Sequence, residues 1–220
     1  MGLGGTRTSV LLPYDDADFE WVDLRLVRVP AARSRRRTPS VASPPPGTAP
    51  AAGTLGPAMI AWFRRHPLWV RGTGPRILLV DLDNLRAGPA RWQARMEVVV
   101  WLARLADHTV LAGQHGAVAR AQPYLAELAG AAQPVDDGSD LADHVLLEAA
   151  EAITAARVRV VVISNDGIFV RLAGRGPLTV LSPGLDALSD KLRDTASRVV
   201  DLTAVEESAV NALGELIDLT

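Results

Sequence analysis

Arg76-Ile-Leu-Leu-Val-Asp-Leu-Asp-Asn-Leu-Arg86 is the stretch on which the reading of this chain turns. Four consecutive apolar residues run directly into Asp81, Asp83 and Asn84. An uninterrupted apolar run suits a strand buried on both faces, as in a parallel sheet. Parallel sheets place their ligand sites outside the carboxyl ends of the strands, where these acids fall. A carboxylate there loses hydration unless water, a hydrogen bond or a cation compensates. A metal or phosphate site is therefore expected.

Strands and helices alternate outward from this point. Strands are expected at 76–82, 108–113, near 133–135, and at 157–164, 178–181 and 198–202. Helices are expected at 89–106, 117–128, 140–155, 167–172 and 185–196. Thr203-Ala-Val-Glu206 has the pattern of a capping box opening a last helix to about Leu216. The alternation argues for a three-layer α/β fold with a parallel sheet and helices on both faces. Residues 75–202 form this domain, and 203–220 the closing helix.

The first 74 residues differ in texture. Residues 1–30 include Trp21-Val-Asp-Leu-Arg-Leu-Val-Arg-Val29, which alternates like a half-exposed strand. Residues 31–56, rich in Pro, Ala, Ser and Arg, read as a disordered linker. Residues 57–74 carry Met59, Ile60, Trp62, Phe63, Leu68 and Trp69 and suit a short amphipathic segment packed on the domain. Residues 1–76 hold 11 Arg against 5 acids, a net of +6; residues 77–220 hold 12 basic residues against 20 acids, a net of −8. The domain thus lacks a general field for nucleic acid, and the basic extension is either a solubilising linker or an arm for RNA. The extension is also the expected contact for a second copy or a protein partner.

The chain has no cysteine, which excludes disulfides, iron–sulfur clusters and thiolate zinc sites. No apolar run approaches the ~18 residues of a membrane span, and no secretory h-region is visible, so a cytoplasmic protein without membrane contact is expected. Lys191 is the sole lysine among 23 basic side chains, a usage that goes with GC-rich bacterial genomes.

Three places put polar groups at one sheet edge: Asp81, Asp83 and Asn84; Asp140 and Asp143; Ser164, Asn165 and Asp166. Oxygen donors of this kind suit Mg²⁺ or Mn²⁺. Each has a plainer reading beside it. Asp140 and Asp166 could be helix caps, Asp143 a first-turn charge, and Asp83 a solvated loop acid. Arg86, Arg91 and Arg95 follow closely and form either an RNA-contacting patch or a solvated face. Trp92 and Trp101 are better placed for core packing than for base stacking.

Val80-Asp-Leu-Asp-Asn-Leu85 resembles the first motif of NYN domains, members of the PIN-like nuclease superfamily. Ala142-Asp-His-Val-Leu146, Ile163-Ser-Asn-Asp-Gly-Ile-Phe169, and the run from Val180-Leu-Ser-Pro-Gly184 to Arg198-Val-Val-Asp-Leu202 are similar to its later motifs. The resemblance covers about residues 75–202. It implies a Rossmann-like, PIN-like parallel sheet and metal-dependent endoribonuclease chemistry, with Asp81, Asp143 and Asp166 binding the cation. Asn84 would orient the Asp81 loop or a substrate phosphate, and Ser164 would brace the loop carrying Asp166. Ile168 stands where many members have a further Asp; Asp83 or Asp140 could compensate, or the domain could bind RNA or protein without cutting. Asp81-Leu-Asp-Asn-Leu85 is similar, too, to the first motif of haloacid-dehalogenase-type phosphatases, with Asp81 as nucleophile and Lys191 as the lysine. That likeness lacks their usual Thr or Val at Leu85 and their later acidic pair.

Overall fold

The computed structural model describes residues 54–218 except 129 and 139, with side chains to residue 213. The expected strand-like segment and most of the expected linker lie outside the described residues. Six strands form one sheet: β1 (Arg76–Asp81), β2 (His108–Gln114), β3 (Ala132–Val135), β4 (Arg159–Ile163), β5 (Leu178–Ser182) and β6 (Arg198–Asp201). All pair in parallel, in the order β3-β2-β1-β4-β5-β6. The fold is α/β, three-layered and Rossmann-like.

Strand periodicity builds the two outer layers. Leu78 and Val80 of β1, with Val161 and Ile163 of β4, face one core, which also holds Met59, Phe63, Trp92 and Leu102. Ile77 and Leu79, with Val160 and Val162, face the other, which holds Leu146, Phe169 and Leu192. Successive strand side chains point to opposite faces, so a continuous apolar run supplies both cores at once. Helices α1 (Leu55–Arg65), α2 (Pro89–Leu105), α3 (His115–Ala121) and α6 (Leu202–Asp218) contribute to the first core. Helices α4 (Leu141–Glu151) and α5 (Asp190–Thr195) line the second, with a 3₁₀ segment at Gly167–Arg175. No helix among the described residues is long and apolar enough to cross a membrane.

Several boundaries depart from the sequence reading. Helix α1 begins at Leu55, inside the expected linker, because Met59 and Phe63, four apart, are both fully buried. The expected helix 117–128 is α3 followed by 3₁₀ turns at Gln122–Tyr124 and Ala126–Leu128. Pro123 lacks an N–H and cannot continue an α-helix. Helix α4 stops at Glu151, where the Arg175 guanidinium takes up the carbonyls of Ala150, Ile153 and Ala155. Helix α5 starts only at Asp190, because the Ser189 N–H donates to the Asn165 carbonyl (3.0 Å) rather than closing a helical turn.

The expected capping box is absent. Asp201 Oδ1 accepts from the Thr203 N–H (2.9 Å), and Glu206 is drawn away into a buried ion pair with Arg95.

Strand order reverses between β1 and β4, whose chains leave the sheet in opposite directions. Crevices open at such a switch point, outside the carboxyl ends of the two strands. Asp81 ends β1, and Ser164 directly follows β4.

Candidate metal centre

Asp81 is 3 % exposed and carries four hydrogen bonds. Its Oδ1 accepts from the N–H groups of Asp83 (3.0 Å) and Asn84 (3.2 Å), which folds the chain back after β1. Its Oδ2 accepts from the Ser164 hydroxyl (3.1 Å) and from the Asn84 side-chain amide. Burial raises its pKa above the usual carboxylate value, and these four donors act against that rise.

Ser164, fully buried, joins the two strand ends: its hydroxyl donates to Asp81 and accepts from the Asp166 N–H (3.1 Å). Asp166 in turn caps the 3₁₀ segment, with Oδ1 accepting from Ile168 N–H (2.8 Å). Asp83 is not a solvated loop acid. Its Oδ2 accepts from the Gln114 N–H (2.8 Å), and its Oδ1 lies 3.6 Å from Arg86. That approach to β2 depends on Gly113, where a Cβ would sit 2.9 Å from Leu82 Cβ and 3.3 Å from Asp83 Oδ2.

Asp140 and Asp143 come from the start of α4. Asp140 has φ 65° and is the one non-glycine with positive φ among the described residues. It occupies the cap position, yet its side chain makes no capping bond. Left-handed backbone is tolerated by Asp but disfavoured, and such outliers cluster at functional sites. Asp143, in the first helical turn, is 6 % exposed, and its buried Oδ1 has no hydrogen-bond partner among the described residues. Its pKa is pushed up to about 7, chiefly by burial, then by repulsion from Asp81, Asp166, Asp140 and Asp83.

Carboxylate oxygens of Asp140, Asp143 and Asp166 lie within 4.8 Å of one another, so this trio could hold a metal ion. The donor chemistry fits a hard divalent cation, and the orphaned Asp143 oxygen is the atom that most needs one. A cleft of about 200 Å³ opens onto the trio and is also lined by Asp81, Asp83, Asn84 and Gln114. Asp81 therefore borders the site, but its oxygens are turned to protein donors.

The three arginines separate. The Arg86 side chain is 71 % exposed beside Asp83. Arg91 reaches Glu206 at 3.5 Å. Arg95 is 4 % exposed and cannot meet nucleic acid: its Nε bonds Glu206 at 2.6 Å, and its other nitrogens donate to the carbonyls of Leu85, Arg86 and Pro183. Arg120, which sequence reasoning passed over, is exposed, donates to the Ala87 carbonyl and stacks 4.3 Å above Trp92. Trp92 itself is 3 % exposed. Gln114 and Gly113 have no role legible in the sequence; an apolar strand ending in Gly-Gln carries no signal of its own. No family profile, curated protein or solved structure matches this chain.

Proposed function

We propose that this protein is a metal-dependent endoribonuclease of NYN type, hydrolysing RNA phosphodiesters at the cleft between β1 and β4. The observation that carries the proposal is Asp143: a buried carboxylate oxygen without a partner, held among four other acids. Protein interiors rarely leave such an atom unsatisfied without a functional reason.

Asp140, Asp143 and Asp166 would hold Mg²⁺ or Mn²⁺. A cation there would supply Lewis acidity toward a phosphodiester and lower the pKa of a coordinated water. Asp81 acts as the structural hub, fixing the turn at Asp83 and Asn84 and, through Ser164, the loop bearing Asp166. Ile168 supplies no carboxylate, and Asp140 takes up that deficit. Arg86, exposed beside Asp83, is available to a substrate phosphate. The likeness of four segments to NYN motifs supports RNA as the substrate; hard oxygen donors and the cleft support phosphodiester chemistry in general. The phosphatase reading needs a free oxygen on Asp81, and both of its oxygens are already doubly hydrogen-bonded.

The test is cleavage of end-labelled single-stranded RNA, and of DNA of the same sequence, in Mn²⁺, Mg²⁺ or EDTA. Wild type is compared with Asp143→Asn and Asp81→Asn. Metal-dependent RNA cutting that drops at least about a hundredfold in Asp143→Asn is expected, the scale on which catalytic electrostatics act. Metal binding without cleavage would instead favour a binding domain.

A further inference from the structure

A second concavity lies at the other end of the sheet, beside the amino ends of β1 and β4. It encloses about 340 Å³. Its walls bring together the aromatic rings of Phe63, Trp69 and Trp101 with Arg64, Arg71 and Arg159. Arg76 also lines it but is engaged with Asp107. Among the described residues, the three other arginines have no carboxylate partner. Arg159 donates to the carbonyls of Gly74 and Val70, which leaves its charge unneutralised. Arg64 and Arg71 are exposed. Arg198 adds a further cation nearby, donating to the Pro67 carbonyl (2.8 Å). The indole N–H of Trp69 is buried and finds no acceptor among the described residues. The groove is thus aromatic-floored and cationic, in a domain that is otherwise acidic.

The chain carries a segment with the complementary chemistry. Tyr14-Asp-Asp-Ala-Asp-Phe-Glu-Trp-Val-Asp-Leu24 holds five carboxylates, all of those in the first 76 residues. Tyr14, Phe19 and Trp21 are interleaved with them, and no basic residue falls between Arg7 and Arg25. We propose that this acidic-aromatic segment docks in cis into the arginine–aromatic groove. Its carboxylates would meet Arg64, Arg71 and Arg159, and its rings the apolar floor.

The tether is long enough. Thirty residues, Arg25 to Thr54, separate the segment from α1. A coil of that length has an r.m.s. span of roughly 30 Å. Helix α1, whose far end carries Phe63 and Arg64, is about 16 Å long. A linked segment meets its site at an effective concentration in the millimolar range, so modest intrinsic affinity suffices. Charge pairing fixes register here, and ring burial supplies the larger part of the driving force.

Amide hydrogen exchange on the full chain tests this. Wild type should show residues 14–24 protected at least about tenfold over the free-chain rate, independent of protein concentration. Arg64→Glu with Arg71→Glu should abolish that protection while leaving β1 and β4 unchanged. Adding Asp15→Lys, Asp16→Lys and Asp18→Lys to that variant should restore part of it. Free-chain exchange of 14–24 in wild type would overturn the proposal. So would protection that fades on dilution, the mark of docking between copies. Protection of the groove by an added RNA oligonucleotide, with 14–24 exchanging freely, would make it a nucleic-acid surface instead.

Discussion

Asp143 and Asp81 are both buried acids at one sheet edge, but their environments assign them different work. Asp81 is satisfied by four donors; Asp143 has an oxygen with none and a pKa near 7. The unfolded value is near 4, so between about pH 4 and 7 the folded state holds a proton that the unfolded chain has released. Stability from this group is complete below about pH 4 and disappears as pH rises through 7. In EDTA, the melting temperature of wild type should fall from pH 5 to pH 8. Asp143→Asn should flatten that slope and raise stability at pH 8 by on the order of 1–3 kcal/mol. A variant less stable than wild type at pH 8 would show that the Asp143 carboxylate is not strained. Asp140→Gly makes a complementary case. It removes the penalty of left-handed backbone, about 1 kcal/mol, together with one carboxylate. Calorimetry in EDTA should show unchanged or higher stability, and divalent cations should stabilise it less than they stabilise wild type. The division of labour between Asp81 and Asp143 was not legible in the sequence. Both read as acids at strand or helix ends, and only the positions of Ser164 and Asn84 decide which oxygens are spoken for.

At the scale of elements, Arg95 ties the edge of the cleft together. It lies on α2, pairs with Glu206 of α6, and donates to carbonyls of the loop after β1 and of the turn after β5. Breaking a buried pair by removing one charge typically costs about 3–5 kcal/mol, because its partner is left buried and uncompensated. Glu206→Gln should therefore lower the urea midpoint strongly, and Arg95→Met likewise. If both unfold like wild type, the pair contributes nothing. This pairing also explains the misread capping box: the two residues are 111 positions apart, and no local pattern reports such a contact. The strands were legible for the opposite reason. Ile77–Val80 and Val160–Ile163 are buried on both faces, so their apolar runs are themselves the signal. Helix ends were less legible where tertiary hydrogen bonds set them, as Arg175 does for α4 and Asn165 for α5.

Across the whole molecule, charge is segregated. The first 76 residues are net positive, yet five carboxylates cluster there; the domain is net negative, yet a cationic groove sits opposite its acidic cleft. The parallel order β3-β2-β1-β4-β5-β6 gathers acids from three distant segments at one switch point. Mutual repulsion among them is tolerable only if protons or a cation offset it. The most direct measurement is Mn²⁺ binding to the full chain at pH 7.5, read as loss of the free-ion electron paramagnetic resonance signal. Wild type should bind Mn²⁺ in the cleft, and Asp143→Asn should weaken that binding at least about tenfold, or 1.4 kcal/mol. Equal affinity in the two proteins, or no binding in either, would contradict a metal centre built on Asp143.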